Sequence, residues 1–228
     1  MGSTGGCERM IPLQFALRRR MMMAGGGGGA PISDLPLGTL INVGTDGGDA
    51  TPNYEIADKD NLVSGGVVLV RKNVYPSTSA FGSTANYPNG TLDNLIKTTI
   101  YNTMPQKLRD KMMDVTFTLS GSGDITRKMF ALTYTMVGFG NNSGVAEGKA
   151  LQLYTSNARR VKTFNGSATD WWLSSRRTSD NAWLVSENGA ADYGRQSFTR
   201  RVVPAFVISS KTPYDPTPNT DGSYNLIL

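Results

Sequence analysis

The chain of 228 residues contains no histidine. That absence removes histidine-activated nucleophiles, the paired-histidine zinc hydrolases and most zinc sites from the chemistry open to it. Cysteine is nearly absent too. Cys7 stands alone, so neither an internal disulfide nor a Cys-x-x-Cys site can form. With no imidazole to activate it, and in a Gly/Ser-rich stretch, its thiol is no candidate nucleophile. No apolar run approaches the ~20 residues of a membrane span, so no membrane insertion is expected. Charged residues make up only 18% of the chain, but 3 Trp, 9 Tyr and 8 Phe are more aromatics than a disordered chain carries. Length and composition fit one large domain, or one domain with an arm.

The net charge of +5 is unevenly spread. Residues 31–70 hold six acids against Lys59, whereas residues 151–200 hold seven Arg and Lys against four acids. Much of the positive charge sits in pairs, Arg159-Arg160, Arg176-Arg177 and Arg200-Arg201, rather than in one tract. Such pairs suit solvated or ion-paired positions better than a nucleic-acid stripe, and no nucleic-acid partner is expected.

Residues 1–30 read as an arm. Leu13, Leu17 and Met21 recur at helical spacing beside Phe15, with Arg18, Arg19 and Arg20 between them, and Gly25 to Gly29 form a flexible linker. These residues suit an anchor that inserts apolar side chains into a partner while its arginines meet acidic surface. The arginines follow the apolar stretch instead of preceding it, so export through the general secretory route is not expected.

Residues 31–210 read as the domain and 211–228 as a tail. The β-branched run at 62–71 predicts a central strand, and residues 73–90 a polar connection. Leu92, Leu95 and Ile96 predict a helix from Thr91, split by Pro105. Strands are expected at 115–120, 129–137, 170–174, 182–187 and 202–209, and a helix at 145–155. The pattern is α+β, with a β-rich, loop-rich last third.

Few constellations point to chemistry. GFGNNSG at 138–144 lacks the Lys-Ser/Thr pair of a phosphate loop. Asp46 and Asp49 are loosely calcium-like in spacing but lack the further oxygen ligands and terminal Glu of an EF-hand, and the acids at 34–60 read as a solvated loop. No carboxylate pair is spaced for glycoside hydrolysis. No enzyme activity, cofactor or metal is expected.

The segment 170–206 is the informative one. Two apolar units, Trp171-Trp172-Leu173 and Trp183-Leu184-Val185, are separated by Ser, Arg, Thr, Asp, Asn, Gly and Tyr. At least two of the three tryptophans are expected in the core, with the stretches 174–181 and 188–200 as loops displayed at one end. The candidate ligand-binding residues there are Arg176, Arg177, Asp180, Asn181, Asp192, Tyr193, Arg195 and Arg200.

The order DLPLGTL, KMFALTYTMVGFGNNSGVAEGKALQLYTSNARRV, DWWLSS and VVPAF resembles a domain of unknown function common in proteins of gut bacteria and their phages. Its late motifs read W-W-L-R-S-P and G-V-R-P-A. Ser174 and Arg176 replace the Arg and Pro of the first motif, and Arg201 and Val203 the Gly and Arg of the second. The resemblance implies a C-type-lectin-like fold, as in formylglycine-generating enzymes and phage variable receptor-binding proteins. The catalytic cysteines of those enzymes have no counterpart, nor is there a Glu-Pro-Asn calcium-sugar motif. IPLQFALRRRMMM is similar to the start of phage structural proteins carrying this domain.

The resemblance implies a phage virion protein: a tail, fibre or capsid decoration anchored by its arm to other virion proteins, binding a host surface glycan or protein. A homo-oligomer, trimeric by analogy with fibres, would add avidity. The alternatives are a bacterial cell-surface or secreted adhesin with the same domain, and an enzyme acting on surface glycans.

Overall fold

The computed structural model describes residues 29–228. The anchor residues Leu13, Phe15, Leu17, Arg18, Arg19, Arg20 and Met21 lie outside the described residues. After β1 (Ala30–Pro31) come β2 (Leu40–Asn42), β3 (Asn53–Lys59), β4 (Gly66–Arg71) and β5 (Tyr75–Ala80). A helical stretch passes through α1 (Thr91–Asn94), a π-helical turn (Leu95–Ile100) and α2 (Tyr101–Thr103), followed by α3 (Gln106–Arg109). Next are β6 (Val115–Leu119), β7 (Gly123–Arg127), β8 (Met129–Ala131), α4 (Asn157–Arg160), β9 (Lys162–Phe164) and β10 (Ser167–Thr169). The last third holds β11 (Trp171–Arg176), β12 (Asn181–Val185), β13 (Ala191–Arg195), β14 (Thr199–Val202), β15 (Pro204–Ser209), β16 (Pro213–Tyr214) and β17 (Tyr224–Asn225). The described residues therefore form a mixed, sheet-rich fold with few helices.

Two larger sheets organise it, a six-stranded one in the order β17-β2-β3-β4-β15-β8 and a five-stranded one in the order β13-β12-β11-β14-β5. The central strand is the expected one: all six residues of β4 are buried, and its register sets Val68 opposite Val207 of β15. The chain then bends from one sheet to the other twice. β4 and β15 pair in the first sheet, while their chain neighbours β5 and β14 pair in the second. A third tie runs through Ser174. The buried Ser174 donates its Oγ–H to the carbonyl of Ala131 at 3.0 Å, and its N–H to that of Leu132 at 2.8 Å, joining β11 to the end of β8.

The helical stretch buries Leu92, Ile96 and Ile100 at four-residue spacing. It stops at Met104, which Pro105 forces into extended geometry (ψ 149°). The β6 strand alternates buried and exposed residues, and Thr116 and Phe117 face Thr126 and Ile125 of β7 across the hairpin.

Several sequence expectations differ from the structure. Residues 145–155, expected to be helical, are irregular. Thr133 Oγ1 and Thr135 Oγ1 bind the Glu147 backbone carbonyl and N–H, and Gly148 takes φ +86°, so local side-chain bonds replace the helical ladder. The 129–137 strand ends at Ala131. The polar 73–90 stretch contains β5, whose Tyr75 is buried although its exposed positions are Ser and Thr. Residues 211–228, read as a tail, supply β16 and the sheet edge β17.

The acids at 34–60 are only half a solvated set: Asp34, Asp49 and Asp60 are exposed, but the other three are not. Asp46 and Asp58 are fully buried and Glu55 nearly so. Arg71 reaches Asp46 at 2.6 Å and also pairs with Asp49, and Asp46 Oδ1 accepts the N–H groups of Gly48 and Asp49. Glu55 pairs with the buried Lys162. The cationic partners of Asp46 and Glu55 named here lie 25 and 107 positions away in sequence, whereas Asp58 is satisfied by the Leu62 N–H and the Asn61 amide rather than by an ion pair. Once enclosed, such charges must be paired or hydrogen-bonded.

Candidate functional site

The outer two strands of the five-stranded sheet carry the site. In the β12–β13 pair, Asn181 faces Arg195, Trp183 faces Tyr193 and Val185 faces Ala191. Alternation along a strand places these on one face, while Ala182, Leu184, Asp192 and Gly194 point to the other. Gly194 has no side chain because Trp172 lies beneath it: a Cβ there would stand 3.2 Å from the indole ring. Trp171 and Trp172 are fully buried, as expected for two of the three tryptophans, and Trp183 is only partly so.

Trp183 is held on three sides. Tyr134 packs on it with ring centroids 4.5 Å apart, and Phe139 extends the row beyond Tyr134 at 5.2 Å. The indole N–H donates to Asn142 Oδ1 at 3.0 Å. Asn142 is itself buried and donates through Nδ2 to Glu147 Oε1 at 2.9 Å and to the Arg176 carbonyl at 2.7 Å. Glu147, fully buried, also accepts the Ser120 N–H at 2.8 Å and the Ser175 hydroxyl. Burial pushes its carboxyl above the usual range, although the bonds from Ser175, Asn142 and Ser120 oppose the shift. Among the described residues, no cation pairs with Glu147. It is the hub that joins the β6–β7 hairpin, the 138–144 segment and β11 under the site.

On this support lies Arg177. Its guanidinium carbon stands 3.4 Å from the centroid of the Tyr193 ring and 5.2 Å from that of Trp183. Its backbone N–H donates to the Asn181 carbonyl, closing the turn between β11 and β12. The Arg177 side chain makes no hydrogen bond or ion pair with another described residue, and neither does that of Arg195. Asp180, Asn181, Arg195, Gln196 and Ser197 line an open cleft of about 350 Å³ beside them. Gln196 Oε1 is buried there with no hydrogen-bond partner.

The structure thus brings together Arg177, Asp180, Asn181, Tyr193 and Arg195. It separates the other three expected residues from them. Arg176 turns inward over the β6–β7 turn, where Nε donates to the Thr178 carbonyl at 3.0 Å. Asp192 points to the opposite face, into a depression shared with Asp170 and Glu187. Arg200 pairs with Asp170 at 2.7 Å. Burial raises the Asp170 carboxyl; Arg200 opposes this, while Asp192 and Glu187 add to it. The 188–200 stretch is not a loop, because β13 occupies its middle. The supporting residues Tyr134, Phe139, Asn142 and Glu147 escaped the sequence, since GFGNNSG was weighed there only as a phosphate loop.

Among the described residues, no group of three or more carboxylate or cysteine side chains is placed to hold a metal ion. No curated protein and no solved structure matches the chain. A family model described as Domain of unknown function (DUF6273) matches residues 64–210. That span runs from the start of β4 to the end of β15 and takes in every residue of the Arg177 face. It covers well over half of the sequence, and the chain belongs to the DUF6273 family.

Proposed function

We propose that this is a phage virion protein, a tail, fibre or capsid decoration whose C-type-lectin-like domain binds a host surface through the Arg177 face. The observation that carries the reading is the stack of Arg177 on Tyr193 and Trp183. Exposed arginine and tyrosine are the residue types that dominate binding energy, and here they stand on strands, fixed from below by Asn142 and Glu147. Two twisted sheets that exchange strands, with irregular segments packed over one face, suit a C-type-lectin-like domain. Residues 1–30 anchor it to other virion proteins, and trimeric assembly multiplies weak contacts.

No described helix is long and apolar enough to cross a membrane. The test is twofold. Flanking terminase, portal or tail genes and recovery of the protein in purified particles are expected. A gene among exported surface proteins, with the product found on cells, would instead make it an adhesin. On particles, Arg177→Ala with Tyr193→Ala should reduce attachment to host cells, and unchanged attachment would remove the face from the reading.

A further inference from the structure

Arg177 and Arg195, like Arg159 of α4, have no side-chain hydrogen bond or ion pair with another described residue, whereas several other arginines are committed to a partner. Arg71 is neutralised by Asp46 and Asp49, Arg127 by Asp93, and Arg200 by Asp170; Arg160 is spent on the carbonyls of Val137 and Tyr154. Arg177 and Arg195 keep every side-chain N–H uncommitted. Arg195 sits two residues along β13 from Tyr193, hence about 7 Å away on the same face.

A guanidinium lying flat against a ring has its five N–H groups in the plane parallel to that ring, pointing away from the stack. This is the fork that a planar carboxylate meets with two parallel hydrogen bonds. Stacking also removes much of the side-chain entropy that a free arginine loses when it binds. Beside the two forks, the cleft offers acceptors as well as donors: the Asp180 carboxylate and the Asn181 amide. Purely anionic ligands have no use for these acceptors. A ligand with hydroxyl groups does.

Granting that this face meets the host surface, we propose that Arg177, Arg195 and the adjoining cleft bind a carboxylate-bearing, hydroxyl-rich sugar chain, of the uronate polysaccharide type. Arg177 takes a carboxylate bidentately, Arg195 a second anionic group or ring oxygen of the chain, and Asp180 and Asn181 accept sugar hydroxyls. The excess of cations over the single Asp180 supplies the attraction, and salt weakens it.

The experiment is calorimetric titration of the full chain with oligogalacturonate, with neutral dextran and inorganic polyphosphate as controls, at two salt concentrations. Oligogalacturonate should bind, dextran should not, and polyphosphate should bind more weakly. Arg177→Ala and Arg195→Ala should each weaken oligogalacturonate binding roughly tenfold to a hundredfold, the range of a charge-assisted hydrogen-bonded contact. Arg177→Lys keeps the charge but not the fork, so it should stay about tenfold weaker. Circular dichroism should be unchanged in all three variants. Equal binding of polyphosphate with full recovery in Arg177→Lys would overturn the proposal in favour of unspecific charge. If the variants lose host attachment while oligogalacturonate does not bind, the sugar class is wrong and the face stands. If attachment is unaffected, the face itself is wrong.

Discussion

Asn142 and Trp183 are joined by a single hydrogen bond of 3.0 Å that crosses forty-one positions of sequence, and among the described residues no other hydrogen bond reaches the indole N–H. The same amide donates to Glu147 and to the Arg176 carbonyl. One buried side chain therefore sets both the aromatic platform and the strand that leads into Arg177.

Asn142→Ala should cost about 1–3 kcal/mol, since the indole N–H and a Glu147 oxygen each lose a partner inside the protein. Urea unfolding measures this directly. A loss below ~0.5 kcal/mol would show that the Tyr134 stack alone holds Trp183.

Core and surface should separate cleanly in the tryptophan strand. Trp172 is fully buried, donates to the Ser79 carbonyl at 3.0 Å and meets Phe81 edge-on. Trp172→Ala should lose ~3–5 kcal/mol or fail to fold. Tyr193, 47% exposed, should tolerate alanine within about 1 kcal/mol. Thermal or denaturant unfolding of the two variants gives the comparison, and similar losses would reverse the assignment.

The two buried carboxyls Glu147 and Asp93 should give opposite pH signatures. Glu147 is raised by burial, so the folded chain holds its proton over a range where the unfolded chain does not. Its contribution is full below the ordinary carboxylate value of about 4 and is lost as pH rises through the raised one. Burial would raise Asp93 as well, but the bidentate Arg127, the Asn89 N–H and Lys97 outweigh it and the net shift is downward. Its contribution is present above about 4 and disappears as pH falls through the lowered value. Melting temperatures of Glu147→Gln and Asp93→Asn, subtracted from the parent across pH, should therefore slope in opposite directions. Parallel difference curves would contradict the two environments.

Removal of residues 1–28 should leave a folded domain, because Ala30 and Pro31 keep their pairing with β16. Circular dichroism and gel filtration check the fold, and incorporation into particles checks the anchor. A truncated protein that still enters particles would exclude the arm as the attachment point.

Much of the local structure was written in short-range pattern. The β-branched run of β4, the four-residue apolar spacing from Leu92, the stop at Pro105 and the Gly-rich turn between β6 and β7 depend on neighbours a few positions away, where backbone sterics and side-chain periodicity decide. The burial of Trp171 and Trp172 and the exposure of Arg177, Tyr193 and Arg195 followed from the same pattern. What it could not contain was pairing over long separations. Strand alternation sends Asp192 away from Tyr193, a salt bridge to Asp170 withdraws Arg200, and the hairpin turn at Gly121 absorbs Arg176. The buried Asp46–Arg71 and Glu55–Lys162 pairs, and the Glu147–Asn142–Trp183 chain, join residues 25 to 107 positions apart or gather several segments at once. Their burial is the consequence of two sheets closing on each other, and only that closure turns solvated charges into an internal frame and leaves Arg177 and Arg195 on one face without an acidic partner.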